Sequence, residues 1–459
     1  MSNNPGADVF CIFAALMKVE LAGHYTVRRL VLTSLPPIAM MIITSVYSIV
    51  DGYFVSNFAG TTEFASLNIV WPALALVSAV GLMIGTGGSA LVSKTLGEGD
   101  KEKACSIFTH LIRICLEVGA IVAVLLFIFM KPVVVALGAE GQMVALAVMY
   151  GRIVVLSMPL FILQMAFQSF YMTAERPELG TRMSILCGAL NIALDALFII
   201  CFGWGLLGAA LGTAIALAAG GVYPLFFFSS KRNRTHLNLV RVRGRDWKAI
   251  IKSCTNGMSE YVGNVALNVV SIGYNLQLMK YIGENGVSAY GIIMYVGFVF
   301  AAVFIGYNLC VSQVIAFNYG AGDRTELRSL LRKSLGLIAV AGLVMTALAE
   351  ILAPAMSRLF VGYDAELCAL TQHALRIYML SFLLCGFNMF CSAWFTALNN
   401  GLVSALAAFI RTLVFELATV FILPSILGID GIWCSVCVAE ILAFILAMSL
   451  IWGFGKRYL

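Results

Sequence analysis

Asp195 is the residue whose position in this sequence most directly suggests chemistry. It lies near the middle of residues 183–202, an apolar run long enough to cross a bilayer as one helix, and Asn191 precedes it by one helical turn. An aspartate at bilayer depth costs roughly 2.5–3.5 kcal/mol on insertion scales, so such a residue usually faces a cavity and binds something. We favour a cation-binding role. The alternative is a protonated carboxyl group that bonds Asn191 and holds helices together.

Asp51 and Glu260 are the next candidates among the acids of the apolar spans. Asp51 lies in the outer half of the first span, and the apolar residues after it favour a buried carboxylate over a turn formed with Gly52. Glu260 lies in the seventh span, where Asn264 and Asn268 follow at intervals of four and therefore share its helix face. Two interpretations of these three residues stay open, namely helix packing and a polar wall of a cavity.

Other acids within the apolar spans receive local interpretations. Glu117 follows Arg113 by four positions, which predicts an ion pair along one helix. Glu416 follows Arg411 by five positions, too far for a good pair on an α-helix, and Glu440 has no partner on its own span. The sequence assigns no role to Glu416 or Glu440.

The composition identifies a polytopic membrane protein. Of the 459 residues, 61% are hydrophobic and only 11% are charged, whereas a soluble domain carries about 25% charged residues. The net charge of +6 comes from Lys and Arg in short loops between apolar spans, which argues against nucleic acid as a partner. The chain lacks a phosphate-binding G-x-x-x-x-G-K-[ST] loop, and its four histidines show no metal-ligand spacing. We therefore expect no ATP-driven step, no metal site, no cofactor and no enzyme activity.

Twelve apolar spans follow an N-terminal lead of residues 1–29, which places both ends of the chain on one side of the membrane. Loops on that side carry 22 of the 29 Lys and Arg residues and the opposite loops carry three, so the positive-inside rule predicts cytoplasmic termini in the cell (inner) membrane. The predicted spans are residues 30–57, 66–92, 105–131, 143–173, 182–203, 206–228, 253–281, 287–318, 328–353, 368–398, 402–426 and 430–453.

The two halves of the chain repeat at a constant offset of 223 positions. Gly60 matches Gly283 and Gly97 matches Gly320, and further pairs hold the same register. Six spans per half mean that the halves run in the same direction, a parallel repeat found in secondary transporters. The predicted divisions are an N-lobe at 30–228, a basic cytoplasmic linker at 229–252, a C-lobe at 253–453 and a cytoplasmic tail at 454–459.

The predicted fold is an all-α membrane protein with twelve transmembrane helices in two six-helix lobes related by a parallel pseudo-two-fold repeat. The repeat does not extend to the acids, since Asp51 maps to Tyr274 and Asp195 maps to Ala418 at the same offset. The candidate ion site therefore belongs to the first half.

The chain resembles the multidrug and toxic compound extrusion (MATE) family over nearly its whole length, from about Val27 to Leu450. The resemblance rests on V-D-G-Y-F-V at the end of span one, G-E-G-D-K after span two, T-A-E-R-P after span four, N-I-A-L-D in span five and G-L-L-G-A-A-L-G-T at span six. It implies a V-shaped pair of six-helix lobes that exports amphipathic, often cationic compounds in exchange for H+ or Na+.

The resemblance also implies site residues. Proton-coupled members use an acid in helix one, an N-x-x-x-D pair in helix five and a threonine in helix six, and the corresponding residues here are Asp51, Asn191, Asp195 and Thr213. Some Na+-coupled members use an acid in helix ten, but the matching segment SFLLCGFNMF has none. Coupling in the first lobe is therefore expected, with Glu260 as the second-lobe candidate.

The resulting functional prediction is a monomeric antiporter that exports small organic compounds in exchange for H+ or Na+ by alternating access between two lobes. The alternative within transport is a flippase of lipid-linked precursors from the same superfamily, whose members usually have extra helices that this sequence lacks. A membrane enzyme would need clustered His and Asp or a nucleophile–base pair, and a channel would need polar rings or a re-entrant filter. The sequence shows neither pattern.

Overall fold

The structure is a computed structural model that describes residues 20–55, 58, 60–230, 233, 235–362 and 364–459. Several predictions fall on residues outside these ranges. They concern residues 1–19 of the N-terminal lead, residues 56 and 57 of the first span, and residues 231, 232 and 234 of the basic linker. Over the described ranges the chain is helical and contains no β-strand, which confirms the all-α class.

The first half of the chain forms six membrane-crossing elements, and most extend a few residues past the predicted spans because helices continue into the polar ends. They are α1 (Val27–Phe54), α2 (Thr61–Gly97), α3 (Lys101–Ala136), the bent pair α4 (Gln142–Leu156) and α5 (Met158–Thr173), α6 (Pro177–Asp195) with a π-helical continuation at Ala196–Cys201, and α7 (Gly205–Ser229).

The second half repeats this order after a short helix that crosses the predicted boundary between linker and C-lobe. This half consists of α8 (Trp247–Asn256), α9 (Met258–Tyr281), α10 (Glu284–Ala321), α11 (Arg324–Val361), the bent pair α12 (Ala365–Met379) and α13 (Phe382–Ala397), α14 (Gly401–Phe409) with a π-helical segment at Ile410–Glu416, α15 (Leu417–Ile422), α16 (Pro424–Leu427) and α17 (Ile429–Tyr458).

Nine helices in the described part of the chain are long and apolar enough to cross a membrane, and the two bent pairs raise the number to eleven. Helix α9 completes the set of twelve. It has 24 residues, but Glu260, Asn264, Asn268 and Lys280 lower its mean hydropathy. The twelve-helix architecture is therefore confirmed, and the least apolar crossing helix is the one that carries the second-lobe candidates.

Both bent pairs break beside a serine, at nearly equivalent places in the two halves. The axis turns by 60° between α4 and α5 and by 47° between α12 and α13. Ser157 donates its hydroxyl to the carbonyl oxygen of Val154 at 2.7 Å, and Ser381 donates to that of Tyr378 at 2.7 Å. Such bonds from serine to the preceding turn compete with the helical ladder and bend helices.

The repeat reappears in the helix caps. Asp100 accepts a hydrogen bond from the backbone N–H of Lys103 at 2.9 Å at the start of α3. Asp323, 223 positions later, accepts one from the N–H of Glu326 at 2.9 Å at the start of α11. Both are N-caps that satisfy a free donor of the first helical turn.

The two lobes contact each other through glycines that obey the same offset. A Cβ built on Gly97 would lie 2.0 Å from the carbonyl oxygen of Phe317, and one built on Gly320 would lie 2.0 Å from that of Lys94. Because Lys94 and Phe317 are also 223 positions apart, the contact is reciprocal, as expected of a two-fold axis. No side chain fits at either position, so only glycine allows α2 and α10 to cross this closely.

A second reciprocal contact involves a carbonyl group that proline leaves free. Pro37 has no N–H to bond the carbonyl oxygen of Thr33 inside α1, and this oxygen accepts a hydrogen bond from the Cys310 thiol of the other lobe at 3.5 Å. The repeat pairs Thr33 with Asn256 and Gly87 with Cys310. At this equivalent place, the Asn256 amide donates to the carbonyl oxygen of Gly87 at 3.3 Å. These contacts lie on the side of the membrane where α1 begins and α8 leads into α9.

Candidate functional site

Asp195 is placed by a change of helix type. It ends the α-helical part of α6, and the π-helical segment Ala196–Cys201 follows at once. A π-helical turn is widened by one residue, a distortion often found at functional sites. Asp195 is fully buried and Asn191, one turn earlier, is 3% exposed, so both side chains face the interior of the first lobe.

The structure brings the four predicted first-lobe residues together. The carboxyl groups of Asp51 and Asp195 are neighbours, and the Asn191 amide interacts with Asp51. Thr213 on α7 lies beside the hydroxyl of Tyr150 on α4, which in turn lies near both carboxyl groups. Helices α1, α4, α6 and α7 therefore each contribute to one polar cluster within the first lobe.

Polar atoms of this cluster are left unsatisfied. Among the described residues, the following have no partner at good hydrogen-bonding geometry although they are buried: both carboxyl oxygens of Asp195, Oδ1 of Asp51, the amide oxygen of Asn191, and the hydroxyls of Thr213 and Tyr150. Buried oxygens without partners cost free energy, so a cluster of them indicates a place where a proton, a small cation or water completes the bonding.

Two glycines allow close packing around the acid cluster. A Cβ built on Gly212 would lie 2.6 Å from Oδ1 of Asp195, and one built on Gly188 would lie 3.2 Å from the ring of Tyr47. Helix α7 thus presses its backbone against the Asp195 carboxyl group, and α6 packs closely on α1.

Tyr150 is the first-lobe residue that sequence reasoning missed. Its ring is fully buried and its hydroxyl reaches the acid cluster. A tyrosine within an apolar span is ordinary, so nothing in the local pattern distinguished it. The signal that could have found it is its place in the fourth span, which the repeat pairs with the tenth span, the bent pair α12 and α13.

Glu260, Asn264 and Asn268 lie in the second lobe on α9, apart from the acid cluster. The Asn264 amide donates to the backbone carbonyl of Glu260 at 2.8 Å, and the Asn268 amide donates to that of Asn264 at 2.8 Å. The three residues therefore form one polar ladder along the helix. Glu260 lies one turn after Gly257, whose backbone packs on the first lobe.

The second lobe contains a polar cluster of another kind, centred on an ion pair. The guanidinium of Arg411 donates to the Glu440 carboxylate at 2.6 and 3.0 Å, and the Glu440 side chain is only 6% exposed. The Asn388 amide also donates to this carboxylate, and Arg411 reaches the sulfur of Cys385 at 3.3 Å. Glu440, unpaired along its own span, is thus paired across helices.

Glu416 joins this second cluster because of helix type. Residues 411 and 416 lie within the π-helical segment Ile410–Glu416, in which positions five apart are one turn apart. Glu416 consequently interacts with both Arg411 and Glu440. Arg411 nevertheless forms its ion pair with Glu440 and not with Glu416, which agrees with the prediction that five positions are too many for a good pair along one helix.

A tyrosine takes the place of the first-lobe acid in the second cluster. Tyr274, which the repeat pairs with Asp51, stacks on Tyr290 with ring centroids 4.7 Å apart and interacts with Glu416. The two lobes therefore place polar clusters at equivalent positions. The first is built on two acids, and the second is built on an Arg–Glu pair with an added glutamate.

The lobes are joined by a buried glutamine on the side where α1 begins. Gln313 of α10 donates from its amide to the Ser89 hydroxyl at 2.9 Å, and its amide oxygen accepts from Ser93 at 2.9 Å and Thr173 at 3.2 Å. Gln313 is 1% exposed, so a second-lobe side chain is fully bonded inside the first lobe. Opening this side requires breaking the network.

Residues 20–26, here called the terminal segment, cover the same side. The backbone N–H of Leu21 donates to the Glu175 carboxylate of the first lobe at 2.7 Å, and His236 lies 3.6 Å from the same carboxylate. Glu175 has a φ of 58°, a left-handed conformation that is uncommon for residues other than glycine. The turn after α5 is thereby shaped to receive the terminal segment.

The terminal segment also binds the second lobe. Glu326 of α11 accepts from the backbone N–H of Tyr25 at 2.9 Å, and its other oxygen lies 2.6 Å from Nδ1 of His24. Lys333 bonds the carbonyl oxygen of Tyr25. Tyr25 is fully buried, so these seven residues hold both lobes together beside the Gln313 network.

Comparisons with known proteins agree with this geometry. A family model described as MatE matches the chain twice, over residues 36–197 and 261–422. Multidrug export protein MepA of Staphylococcus haemolyticus is 25% identical over 425 residues, covering 92% of this chain and 93% of that protein. MepA of Staphylococcus saprophyticus is 23% identical over 424 residues, with 92% and 93% covered.

The fold is also that of solved transporters. A structure described as the outward-facing conformation of a multidrug resistance MATE family transporter of the MOP superfamily has a TM-score of 0.88 and 21% sequence identity. The similarity covers 96% of this chain and 98% of that one. Because the two family matches together span more than half of the chain, one in each half, it belongs to the MatE family, the multidrug and toxic compound extrusion (MATE) transporters.

Proposed function

We propose that this chain is a secondary antiporter that exports amphipathic or cationic organic compounds and takes up protons at Asp51 and Asp195. The observation that carries the proposal is the pair of adjacent buried carboxyl groups. No cationic side chain among the described residues interacts with either of them. Two such groups cannot both stay ionised in a dry interior, so at least one holds an exchangeable proton or cation.

The contrast with the second lobe supports this assignment. There Arg411 is a fixed cation that compensates Glu440, and no exchangeable ion is needed for that pair. The first lobe has no such fixed charge beside its acids. Exchange with the transmembrane ion gradient is therefore assigned to Asp51, Asn191, Asp195 and Thr213, with Tyr150 as a further member of the cluster.

Alternating access is supported by where the lobes touch. The glycine crossing of α2 and α10, the Gln313 network and the terminal segment all close the side on which α1 begins. With cytoplasmic termini, the closed side is the cytoplasmic one, as in an outward-facing state. Protonation of the acid cluster then changes which packing of the first lobe is favoured and couples proton entry to release of the substrate.

The nature of the substrate is inferred from relatives. The MepA proteins are described as multidrug export proteins, and we extend that activity to this chain. Na+ is the second candidate for the exchanged ion, because the same carboxylate, amide and hydroxyl oxygens are ligands that hard cations accept. Flipping of lipid-linked precursors is the alternative activity of the superfamily.

The test is Asp195→Asn in proteoliposomes that hold the purified protein, with a panel of fluorescent organic cations and imposed H+ or Na+ gradients. Gradient-driven export should be abolished while equilibrium binding of the same cations persists, because the cleft remains and the titrating group is lost. Glu260→Gln serves as the matched change in the second lobe and should cause a milder loss.

The outcomes separate the hypotheses. Export by Asp195→Asn at the wild-type rate, together with an inactive Glu260→Gln, would place the coupling in the second lobe and refute the proposal. Export driven only by a Na+ gradient would replace the proton by Na+ at the same residues. Transfer of lipid-linked precursors without export of organic cations would favour the flippase.

A further inference from the structure

A cavity of about 290 Å³ lies on the side where α1 begins, at the junction of the two lobes. It is formed where α2 ends, where α8 passes, at the turn between α13 and α14, and at the end of α17. Apart from Leu398, its walls carry basic, amide and phenol groups. The polar lining includes Lys94, Lys252, Tyr319, Asn400, Arg457 and Tyr458.

Three cations and no acidic side chain line this cavity. They are Lys94, Lys252 and Arg457. Lys94 forms an ion pair at 3.4 Å with Glu98, four positions later on the same helix, whose side chain is 41% exposed and does not line the cavity. Lys252 lies outside the membrane-spanning helices. Burial and then the nearby Lys94 charge lower its pKa, Glu98 opposes this, and Lys103 adds to it, with a net lowering. The positive groups therefore repel one another, and an anion between them would relieve the repulsion.

Residues that line the cavity also contact one another. The Asn400 amide donates to the Tyr458 hydroxyl at 2.9 Å, and the Tyr458 ring meets the Tyr319 ring edge-on with centroids 5.9 Å apart. The Lys94 ammonium lies 5.5 Å from the centre of the Tyr319 ring. These contacts hold residues from both lobes in fixed relative positions before any ligand arrives, which lowers the cost of binding one.

We propose that this cavity binds a phosphate-bearing anion. Three separate cations and neighbouring amide and hydroxyl groups suit a multiply charged anion with several acceptor oxygens better than a single carboxylate. The phosphate belongs either to a soluble phosphate compound or to the head group of an anionic lipid. Both present the same chemistry to Lys94, Lys252 and Arg457.

The position of the cavity gives binding a consequence for transport. Lys94 lies one turn before Gly97 in the first lobe, and Tyr319 directly precedes Gly320 in the second, so a ligand here bridges the crossing of α2 and α10. A bound phosphate would hold this side closed and slow the transport cycle. That consequence rests on the proposed alternating access, whereas the binding itself does not.

Binding is therefore tested directly, with the full chain in nanodiscs of neutral phosphatidylcholine and inorganic pyrophosphate as the probe. Calorimetric titration should show saturable binding to the wild type, weakened about tenfold or more in Lys94→Gln/Lys252→Gln because two charge-assisted contacts are lost. The control, Lys101→Gln/Lys248→Gln, removes two exposed lysines that do not line the cavity and should bind like the wild type. Thermal unfolding of each variant without probe establishes that it is folded.

A second arm distinguishes the source of the phosphate. Nanodiscs that contain phosphatidylglycerol should raise the unfolding temperature of the wild type more than that of Lys94→Gln/Lys252→Gln if the ligand is a lipid head group. Binding of pyrophosphate in neutral nanodiscs supports a soluble ligand, and a response to phosphatidylglycerol alone supports a lipid. No response to either probe, or an equal loss in the control variant, would overturn the site whatever the outcome of the transport assays.

Discussion

The two buried polar clusters differ in how their charge is compensated. Asp51 and Asp195 are acids side by side, whereas Glu440 is bonded by the Arg411 guanidinium at 2.6 Å and by an amide. Desolvating an ion costs several kcal/mol even after relaxation, and an ion pair recovers this cost only with good geometry. We therefore expect the first cluster to depend on a mobile ion, whereas the Arg411–Glu440 pair in the second lobe carries its own compensating charge.

Replacing Arg411 tests this distinction at the level of one residue. Arg411→Met should destabilise the folded protein by about 3–5 kcal/mol because Glu440 is left buried without its cation. Arg411→Met/Glu440→Leu should recover most of that loss, since a buried pair is often replaced by apolar residues at little cost. The free energy of unfolding of each purified variant is measured in detergent. A double variant as unstable as Arg411→Met would show that Arg411 acts chiefly on Glu416.

The first-lobe site residues were predictable from the sequence, and the second-lobe ion pair was not. Asp51, Asn191, Asp195 and Thr213 were predicted together, through a resemblance, and the structure brings them into one cluster. Their role in coupling remains a prediction. The Arg411–Glu440 pair escaped notice because its members lie on different helices, and a single sequence shows spacing along a helix but not which helices are neighbours.

At the scale of elements, the helices were predicted well and their irregularities were not. The apolar runs located all twelve crossing helices within several residues, because hydropathy depends on composition alone. The bends beside Ser157 and Ser381 and the π-helical segments 196–201 and 410–416 depend on hydrogen-bond choices that hydropathy does not record. These irregularities place Asp195 and Glu416, so the part that was not predicted is also the part that shapes the sites.

The terminal segment is an element with a testable role in keeping one side closed. Glu326→Gln should weaken its hold, because hydrogen bonds to a charged group contribute about 1 kcal/mol more than neutral ones, a factor of about five in the open population. Cys310 reports the opening, since it is 2% exposed and bonds Thr33 across the lobes. In a protein whose only cysteine is Cys310, its reaction with N-ethylmaleimide should accelerate about fivefold by the same estimate.

The control for this experiment is Glu102→Gln, which removes an exposed glutamate near the same side without touching the terminal segment. It should leave the reaction rate of Cys310 unchanged. An unchanged rate in Glu326→Gln as well would show that the Gln313 network alone keeps this side closed.

At the scale of the whole molecule, the repeat is the feature that sequence and structure share most closely. The offset of 223 relates the Gly97 and Gly320 contacts, the Asp100 and Asp323 caps, and the pair of Asp51 and Tyr274. The two family matches begin 225 positions apart, at residues 36 and 261. The helix arrangement thus repeats between the lobes while the buried acids do not, which is consistent with the proposal that coupling takes place in the first lobe only.

The orientation in the membrane is predicted from the loop charges and remains to be tested. Single cysteines at Thr62 and Lys248, both exposed, should be distinguished by a membrane-impermeant maleimide applied to intact cells that express a Cys-free version. Thr62→Cys should react from outside, and Lys248→Cys should react only after the cells are permeabilised. Reaction of Lys248→Cys in intact cells would reverse the orientation.

Rocking of the lobes predicts that fixing the closed side stops transport. His24 precedes α1 of the first lobe and Lys333 lies on α11 of the second, with their nitrogens 3.5 Å apart. His24→Cys/Lys333→Cys, joined by a short crosslinker, should lose nearly all export and regain it when a cleavable linker is cut. Arg113→Cys/Glu117→Cys, whose parent side chains are 2.9 Å apart within α3, is the matched control that links one helix to itself and should export normally. Under alternating access, the linked side must open before substrate can enter from the cytoplasm. Full export with the His24–Lys333 link in place would therefore exclude alternating access through this side.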